Sequence, residues 1–317
     1  MKNNLKQIIR VAKLYYEEQI TQDAIAKHEN LSRPTVSRIL KEALDLGIVQ
    51  IRVVDLDPGL TELTKVLKAR YDMIDVVISN NLNDLYETAA EYIDRKICTN
   101  CSIGVSWGRT LSEVVNQINP RSEKTGVQVV QLLGASGKSE DPAKANEIAY
   151  RLALTYNGSY RLLPAPLMVS NKKIRNLLIE ESAISEVLEL SRKVDIALLG
   201  IGTSNPSVSR VAREKYVSMK ELEKLYETGA SGEICCRFYR LDGSIYKHSN
   251  DDGIIGITLE DLKKIPIRIG VAFGEKKVDS IRGAMNGKYI NVLITDSTTA
   301  RTIKDLDERL DGKNSED

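Results

Sequence analysis

A chain of 317 residues with 42% hydrophobic content is long enough to bury one large core with a small domain attached, and it has no run near the roughly 18 apolar residues of a membrane span. Met1-Lys2-Asn3-Asn4 leads into no apolar signal core, which predicts a cytoplasmic protein, and four cysteines, two adjacent at Cys235 and Cys236, argue against a disulfide framework. The net charge of +1 hides an asymmetry: residues 1–54 carry nine Lys and Arg against six acids, leaving 36 against 38 for the remainder, so a basic head joins a slightly acidic body, as suits a protein that meets nucleic acid at one end.

In chain order, Leu5, Ile8, Ile9, Ala12 and Tyr15 recur at helical spacing and predict a first helix over residues 5 to 18. Thr21 can cap a second, residues 22 to 28, with Asp23 in the first turn where the dipole favours an anion, Ile25 inward and Asn30 in the turn beyond. Ser32 caps a third helix, residues 33 to 46, with Pro34 in the first turn, where a missing N–H costs nothing, and Gly47 at its end. Val36, Ile39, Leu40, Ala43 and Leu44 make its buried face. Arg33, Thr35, Ser37, Arg38 and Lys41 make the other, and no acid intervenes before Glu42. Residues 48 to 54 alternate as a strand and predict a short wing. The combination reads as a winged helix-turn-helix DNA-binding domain over residues 1–54. Hydroxyls and guanidinium groups on such a face reach base edges and phosphates, so Arg33, Thr35, Ser37 and Arg38 are the candidates for base readout, and Lys41 and Arg52 for phosphate. The alternative is a three-helix packing module whose charged face is merely solvated; the concentration of polar and basic residues in the first two turns of the third helix argues against it.

After the turn-rich linker Asp55-Leu-Asp-Pro-Gly59, apolar runs alternate with amphipathic segments over residues 55–317, which is α/β order. Strands are predicted at 75 to 79, 102 to 105, 127 to 133, 160 to 163, 194 to 200, 267 to 273 and 289 to 295. They are short and rich in Val, Ile and Leu, as strands buried on both faces of a Rossmann-like parallel sheet should be. Ligands bind such sheets beyond the carboxyl ends of the strands. At the first such end, Ile103-Gly-Val-Ser-Trp-Gly-Arg-Thr110 runs from a strand into the helical pattern of Leu111–Val115. Backbone N–H groups and a positive dipole end converge there, with Ser106, Arg109 and Thr110 as added donors. Two readings fit: a phosphate cradle, or an ordinary strand-to-helix turn with glycines for tight packing. Neither G-x-x-x-x-G-K-[ST] nor G-x-G-x-x-G is present, so the cradle would take a phosphorylated small molecule rather than ATP or NAD, and no cofactor is expected.

Other strand ends offer further donors and acceptors. The segment 131–137, with Gln131 and Gly134, and the segment Gly200-Ile-Gly-Thr-Ser204 can supply backbone donors or be simple turns. Glu233 precedes an apparent strand, Ile-Cys-Cys-Arg-Phe-Tyr, and can accept from sugar hydroxyls. Lys277 follows Gly274 at a helix start and can reach an anion. Cys98-Thr-Asn-Cys101 has redox or zinc spacing, but there is no second C-x-x-C, the only histidines are His28 and His248, and the pair precedes a strand instead of capping a helix after one, so no metal site is expected. No nucleophile elbow is present, and catalysis has little support.

The blocks LSRPTVSRIL (31–40), GVSWGRTL (104–111), VVQLLGASG (129–137), ANEIAYRLA (145–153), GIGTS (200–204), GASGEICCRFYRLDG (229–243) and NGKYINVLITDSTTA (286–300) together resemble the SorC-type sugar-binding transcriptional regulators, and among them the deoxyribonucleoside regulators. The resemblance spans nearly the whole chain. It implies a helix-turn-helix head and a Rossmann-like effector domain akin to sugar-phosphate isomerases and deaminases, binding a phosphorylated sugar and assembling as dimers or tetramers. By position it puts the phosphate site on Gly108, Arg109 and Thr110, an acidic sugar contact on Glu233 and a basic one on Lys277. One departure is Leu133, where some relatives carry a lysine or arginine that engages the ligand. Leucine can neither form an imine nor pair with a second phosphate; Lys138 and Lys144 are the nearby substitutes.

The expected function is a sequence-specific regulator, a repressor of a sugar or nucleoside catabolic operon. Its affinity for double-stranded operator DNA would change when a sugar phosphate binds the C-terminal domain of a homo-oligomer. Two alternatives stand beside it. One is a sugar-phosphate isomerase or deaminase with a DNA-binding head, using Glu233 with Asp296 as acid and base. The other is a constitutive DNA-binding oligomer with a vestigial site.

Overall fold

The apolar spacing near the N-terminus is realised as three helices, α1 (Leu5–Tyr16), α2 (Gln22–His28) and α3 (Arg33–Asp45), in a computed structural model that describes residues 5–49, 58–120, 124–135, 145–209, 211 and 216–314. Local chemistry sets each boundary. Thr21 Oγ1 accepts the Ala24 N–H at 3.4 Å, Ser32 Oγ accepts the Thr35 N–H at 3.3 Å, and Asn30 and Gly47 take left-handed φ of 53° and 69° in the turns that follow α2 and α3. Ile8, Val11 and Ala12 of α1 pack with Ile25 of α2 and with Val36, Ile39, Leu40 and Ala43 of α3. Ile9 and Leu44, expected on the buried faces, are each 37% exposed, because three short helices enclose only a narrow stripe and Val11 fills the place next to Ile8. Glu29, its side chain buried, pairs with Arg10 of α1 and with His28 Nδ1 at 3.0 Å, pinning the end of α2 to α1. Residues 48 and 49 form a bend, and the rest of the expected wing, with Arg52 and linker residues 55–57, lies outside the described residues.

These helices belong to a unit that ends at Asp57; Pro58–Asp317 forms a second with its own core. It starts with α4 (Pro58–Tyr71), so Pro58 and Gly59 of the expected linker are already helical, proline being tolerated in a first turn. Its ten strands among the described residues are β1 (Asp75–Ser79), β2 (Ser102–Val105), β3 (Gln128–Gln131), β4 (Ser159–Arg161), β5 (Ile196–Gly200), β6 (Gly202–Thr203), β7 (Ala230–Ile234), β8 (Arg237–Arg240), β9 (Ile267–Val271) and β10 (Val292–Asp296). The seven predicted strands, two with the expected bounds and five with shifted ends, form one wholly parallel sheet in the order β1-β10-β9-β5-β2-β3-β4.

Alternate residues of this sheet feed two cores. Ile103, Val105, Val129, Ile196, Leu198, Ile269, Val271, Val292 and Ile294 pack beneath α5 (Leu82–Lys96), α6 (Arg109–Gln117) and α7 (Ala145–Thr155). Val130, Leu132, Ala197, Leu199 and Leu293 point to the other core, shared with α4, α9 (Ser182–Ser191), α10 (Met219–Glu227), α12 (Val278–Asn286) and α13 (Ser297–Asn314); α8 (Lys172–Glu180) buries no side chain, and α11 (Leu259–Leu262) is a single turn. Period-two alternation between two apolar layers is the physical reason these strands read as continuous apolar runs.

The apparent strand 234–239 is instead a hairpin. Ile234 pairs with Arg237, leaving Cys235 and Cys236 as a two-residue turn with φ of 53° and 62°. Both central residues of such a turn are left-handed, a role usually given to Asn or Gly, which is why the residues did not announce it. Together with β6 the hairpin makes a separate antiparallel sheet, β6-β7-β8.

Behind the sheet, Asp307 of α13 is 3% exposed and collects the Tyr71 hydroxyl at 2.8 Å, Arg282 Nη2 at 2.7 Å and Arg70 Nε at 3.1 Å, tying α4 and α12 to α13. Asp307→Ala leaves the buried Arg282 charge with only the exposed Asp279 carboxylate at 3.7 Å, and urea denaturation should show a loss of roughly 3 kcal/mol. Unchanged stability would mean that the network is not structural.

Candidate functional site

Chain direction through the sheet reverses between β2 and β5. From β2 the chain steps through β3 to β4 at one edge; from β5 it steps through β9 and β10 toward the other. Such a switch point opens a crevice at the carboxyl ends of the strands, because the two connecting segments diverge. A cavity of about 470 Å³ lies there, lined from β2 by Trp107, Gly108, Arg109, Thr110 and Glu113 and from β5 by Gly200, Ile201, Gly202 and Thr203. Tyr86, Val208, Ser209, Glu233 and Lys277 complete it.

Gly108 is the residue on which the first wall turns. Its φ of 130° is denied to L side chains, while a Cβ there would meet nothing within 4 Å, so conformation rather than space requires glycine. It precedes α6 without capping it by a side chain, and the first turn of α6 holds no acid, so the leading N–H groups and the positive dipole end face the cavity. Arg109 is exposed beside them and makes no ion pair among the described residues. Burial raises the Tyr86 phenol, with the Glu113 charge adding to the rise and Arg109 opposing it, which places these three side chains in one electrostatic neighbourhood.

The opposite wall carries a buried acid. Glu233 is 6% exposed on β7, and its Oε2 accepts the Cys236 N–H at 2.8 Å. The left-handed hairpin turn is thus what aims a backbone donor at this carboxylate. A Cβ on Gly202 would stand 1.9 Å from Glu233 Oε1, so the acid occupies space that only glycine leaves free. Burial pushes Glu233 up to about 7, opposed by the Cys236 N–H and the Lys277 charge. Lys277 Nζ donates to Ile201 O at 3.0 Å, and burial lowers its pKa against the pull of Glu233. Each charge therefore offsets part of the other's desolvation. Trp107 is held edge-on to Tyr216 with centroids 5.1 Å apart.

The cavity thus gathers Gly108, Arg109, Thr110, Glu233 and Lys277 from the expected effector contacts, and three others lie outside its lining. Ser106 is buried beneath it, its Oγ accepting the Gly200 N–H at 3.0 Å. Gln131 spends its amide on backbone, donating to Leu133 O at 2.7 Å and accepting from Leu163 N–H at 3.1 Å, which extends the β3–β4 ladder. Gly134 donates its N–H to Ile255 O at 2.9 Å, and a Cβ there would stand 2.5 Å from Pro166 O, so it is a close backbone crossing. Leu133 is buried, and Lys138 and Lys144 lie outside the described residues. Asp296 accepts the Thr299 N–H at 3.0 Å at the start of α13 and is not part of the lining, so the acid–base pair of the enzyme alternative is not assembled.

The segment from Gly200 to Thr203, expected as a possible source of backbone donors, is in the lining, whereas Tyr86, Trp107, Glu113, Val208 and Ser209 are lining residues that the sequence did not single out. Glu113 carried a signal, standing one helical turn beyond Arg109, and Trp107 sat inside the cradle motif. The others enter only through strand neighbours distant in sequence. Among the described residues no group of three or more His, Cys, Asp or Glu could hold a metal ion, and no helix is long and apolar enough to cross a membrane.

On α3, Arg33, Ser37, Arg38 and Lys41 are exposed and Thr35 is half-buried. Arg33 Nε lies 3.6 Å from Asp23 of α2, and Thr35 Oγ1 is 2.8 Å from the capping Ser32 Oγ. Ser37, Arg38 and Lys41 thus offer polar groups on one helix face, with Arg33 tethered at its start.

The Glu233 shift has a sign that can be checked. A carboxyl whose folded value of about 7 lies above its ordinary 4.5 favours folding below 4.5 and loses that contribution as pH rises through 7. Between pH 5 and 8 the melting temperature of the ligand-free protein should fall further than that of Glu233→Gln. Parallel pH profiles for the two proteins would refute the shift.

Residues 58–304 match the family described as "Putative sugar-binding domain". The chain is 35% identical to the deoxyribonucleoside regulator of Bacillus subtilis over 93% of its length and 96% of that protein, and 29% identical to the sorbitol operon regulator of Klebsiella pneumoniae over 95% and 98%. The crystal structure of the full-length sorbitol operon regulator SorC from Klebsiella pneumoniae superimposes with a TM-score of 0.77 at 27% identity, covering 96% of this chain and 99% of that one. These relatives are transcriptional regulators, not enzymes. With the family match running from α4 into α13 and whole-length similarity to both regulators, the chain belongs to the SorC-type family of sugar-binding transcriptional regulators.

Proposed function

We propose that the chain is a cytoplasmic, sequence-specific repressor of a sugar or nucleoside catabolic operon, whose hold on operator DNA changes when a phosphorylated sugar occupies the cavity between β2 and β5. The observation that carries this reading is the uncapped, acid-free N-terminus of α6 beside Arg109 and Thr110, facing a buried Glu233–Lys277 pair across one cavity. An anion-accepting end and a carboxylate end at a switch point suit a ligand that is a phosphate at one end and a polyol at the other. Residues 1–54 serve as the helix-turn-helix reader, with Arg33, Thr35, Ser37 and Arg38 for bases and Lys41 and Arg52 for phosphate. Residues 55–317 serve as effector and oligomerisation domain. The names of the relatives, regulators of deoxyribonucleoside and sorbitol functions, support the same reading.

Regulation requires differential binding: the effector must prefer one arrangement of the reading helices in a dimer or tetramer over another. Half-sites one helical turn apart make operator affinity sensitive to that spacing.

A gel-shift titration against the upstream region of its own gene, with and without phosphorylated pentoses and hexoses, tests the whole proposal. Arg109→Ala should weaken the effector response ten- to hundred-fold, the range of a lost charge-assisted hydrogen bond, while leaving effector-free DNA affinity unchanged. Lys41→Ala should weaken DNA binding and reduce the slope of log K against log salt by about one. Indifference of both gel shift and melting temperature to every sugar phosphate would sink the effector half.

A further inference from the structure

One hydroxyl in the cavity wall is buried with nothing to bond. Ser209 lines the cavity at 2% exposure, and its Oγ has no hydrogen-bond partner among the described residues. Proteins leave few such groups, because a hydroxyl taken out of water without a partner is destabilising. The surrounding turn is otherwise well satisfied. The Ser209 N–H donates to Asn205 O at 2.9 Å, the Val208 N–H to the same oxygen at 3.2 Å, and the Ser207 N–H to Asn205 Oδ1 at 3.0 Å. A hydrogen-bonded turn thus leaves the hydroxyl of one cavity-lining residue uncommitted.

We infer that Ser209 is a ligand contact that reads a hydroxyl at the polyol end of the bound sugar phosphate; this rests on the sugar-phosphate reading above. Strand pairing assigns the end. The turn hangs on β6, through the Asn205 N–H donated to Thr203 Oγ1 at 3.1 Å, and β6 pairs Gly202 with Glu233 and Thr203 with Gly232. Ser209 therefore belongs to the wall that carries the carboxylate, whereas the anion-accepting N–H groups come from α6. A serine hydroxyl and a carboxylate in the lining of one cavity suit neutral sugar hydroxyls, since the serine both donates and accepts while Glu233 accepts.

The test uses the full chain and Ser209→Ala, with two readouts. Calorimetric titration with ribose 5-phosphate, 2-deoxyribose 5-phosphate, glucose 6-phosphate and inorganic phosphate gives affinity, and thermal melting without ligand gives stability. Ser209→Ala should weaken the sugar phosphates that bind about ten-fold, leave inorganic phosphate unaffected, and leave the ligand-free melting temperature unchanged or slightly raised, because the hydroxyl it removes bonds nothing. Unaltered sugar-phosphate affinity overturns the contact. An equal loss for inorganic phosphate overturns its assignment to the polyol end, and a lowered ligand-free melting temperature makes the hydroxyl structural. Failure of the unsubstituted protein to bind any sugar phosphate overturns the functional reading and this contact with it, whereas binding that Ser209→Ala leaves intact overturns the contact alone.

Discussion

The pairing of β2 with β5 is the constraint on which the larger unit depends. Ser106 seals it just past the last paired residues, its own N–H donated to Leu198 O at 3.0 Å and its hydroxyl accepting from Gly200 at 3.0 Å. That bond is what brings two glycine-containing strand ends, nearly a hundred residues apart, side by side. Much of what the cavity uses then follows from strand order: the α6 N-terminus from one end, Gly202 and the Ser209 turn from the other, and Lys277 from β9 next along the sheet, while Glu233 arrives on β7 of the antiparallel sheet. A serine expected among the ligand donors proves to be the clasp beneath them.

The cavity also concentrates unfavourable terms that a ligand can relieve. A carboxylate and an ammonium are both drawn out of water, an N-terminal turn is left uncapped, and a buried hydroxyl is unmatched. Each lowers the stability of the ligand-free fold and raises the gain on binding, which is how a site trades stability for affinity. The rigid devices around these groups, the left-handed Cys235–Cys236 turn and the close Gly202–Glu233 approach, keep them from relaxing into one another.

Regulation needs more than a filled cavity. The N-terminal unit has its own small core and the larger unit has two, so the regulation proposed above asks neither unit to change its internal structure. Under that proposal an effector would have only to prefer one arrangement of the reading helices over another by a few kcal/mol.

The residues by themselves determined whatever depends on near neighbours in the chain. The caps at Thr21 and Ser32 and the left-handed Asn30 and Gly47 act within four residues, and the seven apolar strand segments carry their two-sided burial in composition, so all were legible. The loop at Gly108 was legible as well, since its φ and the helix start it precedes are local facts. Only the tertiary structure decided which strand ends meet. It joined Glu233, Lys277 and Ser209 to Arg109, and it committed Ser106, Gln131 and Gly134 to backbone bonds and close packing. It also broke the segment 234–239 into a hairpin at two cysteines. Hydrogen-bond capacity is spent on whatever partner folding brings near, and for these residues that partner lies on another strand, beyond the reach of spacing or propensity.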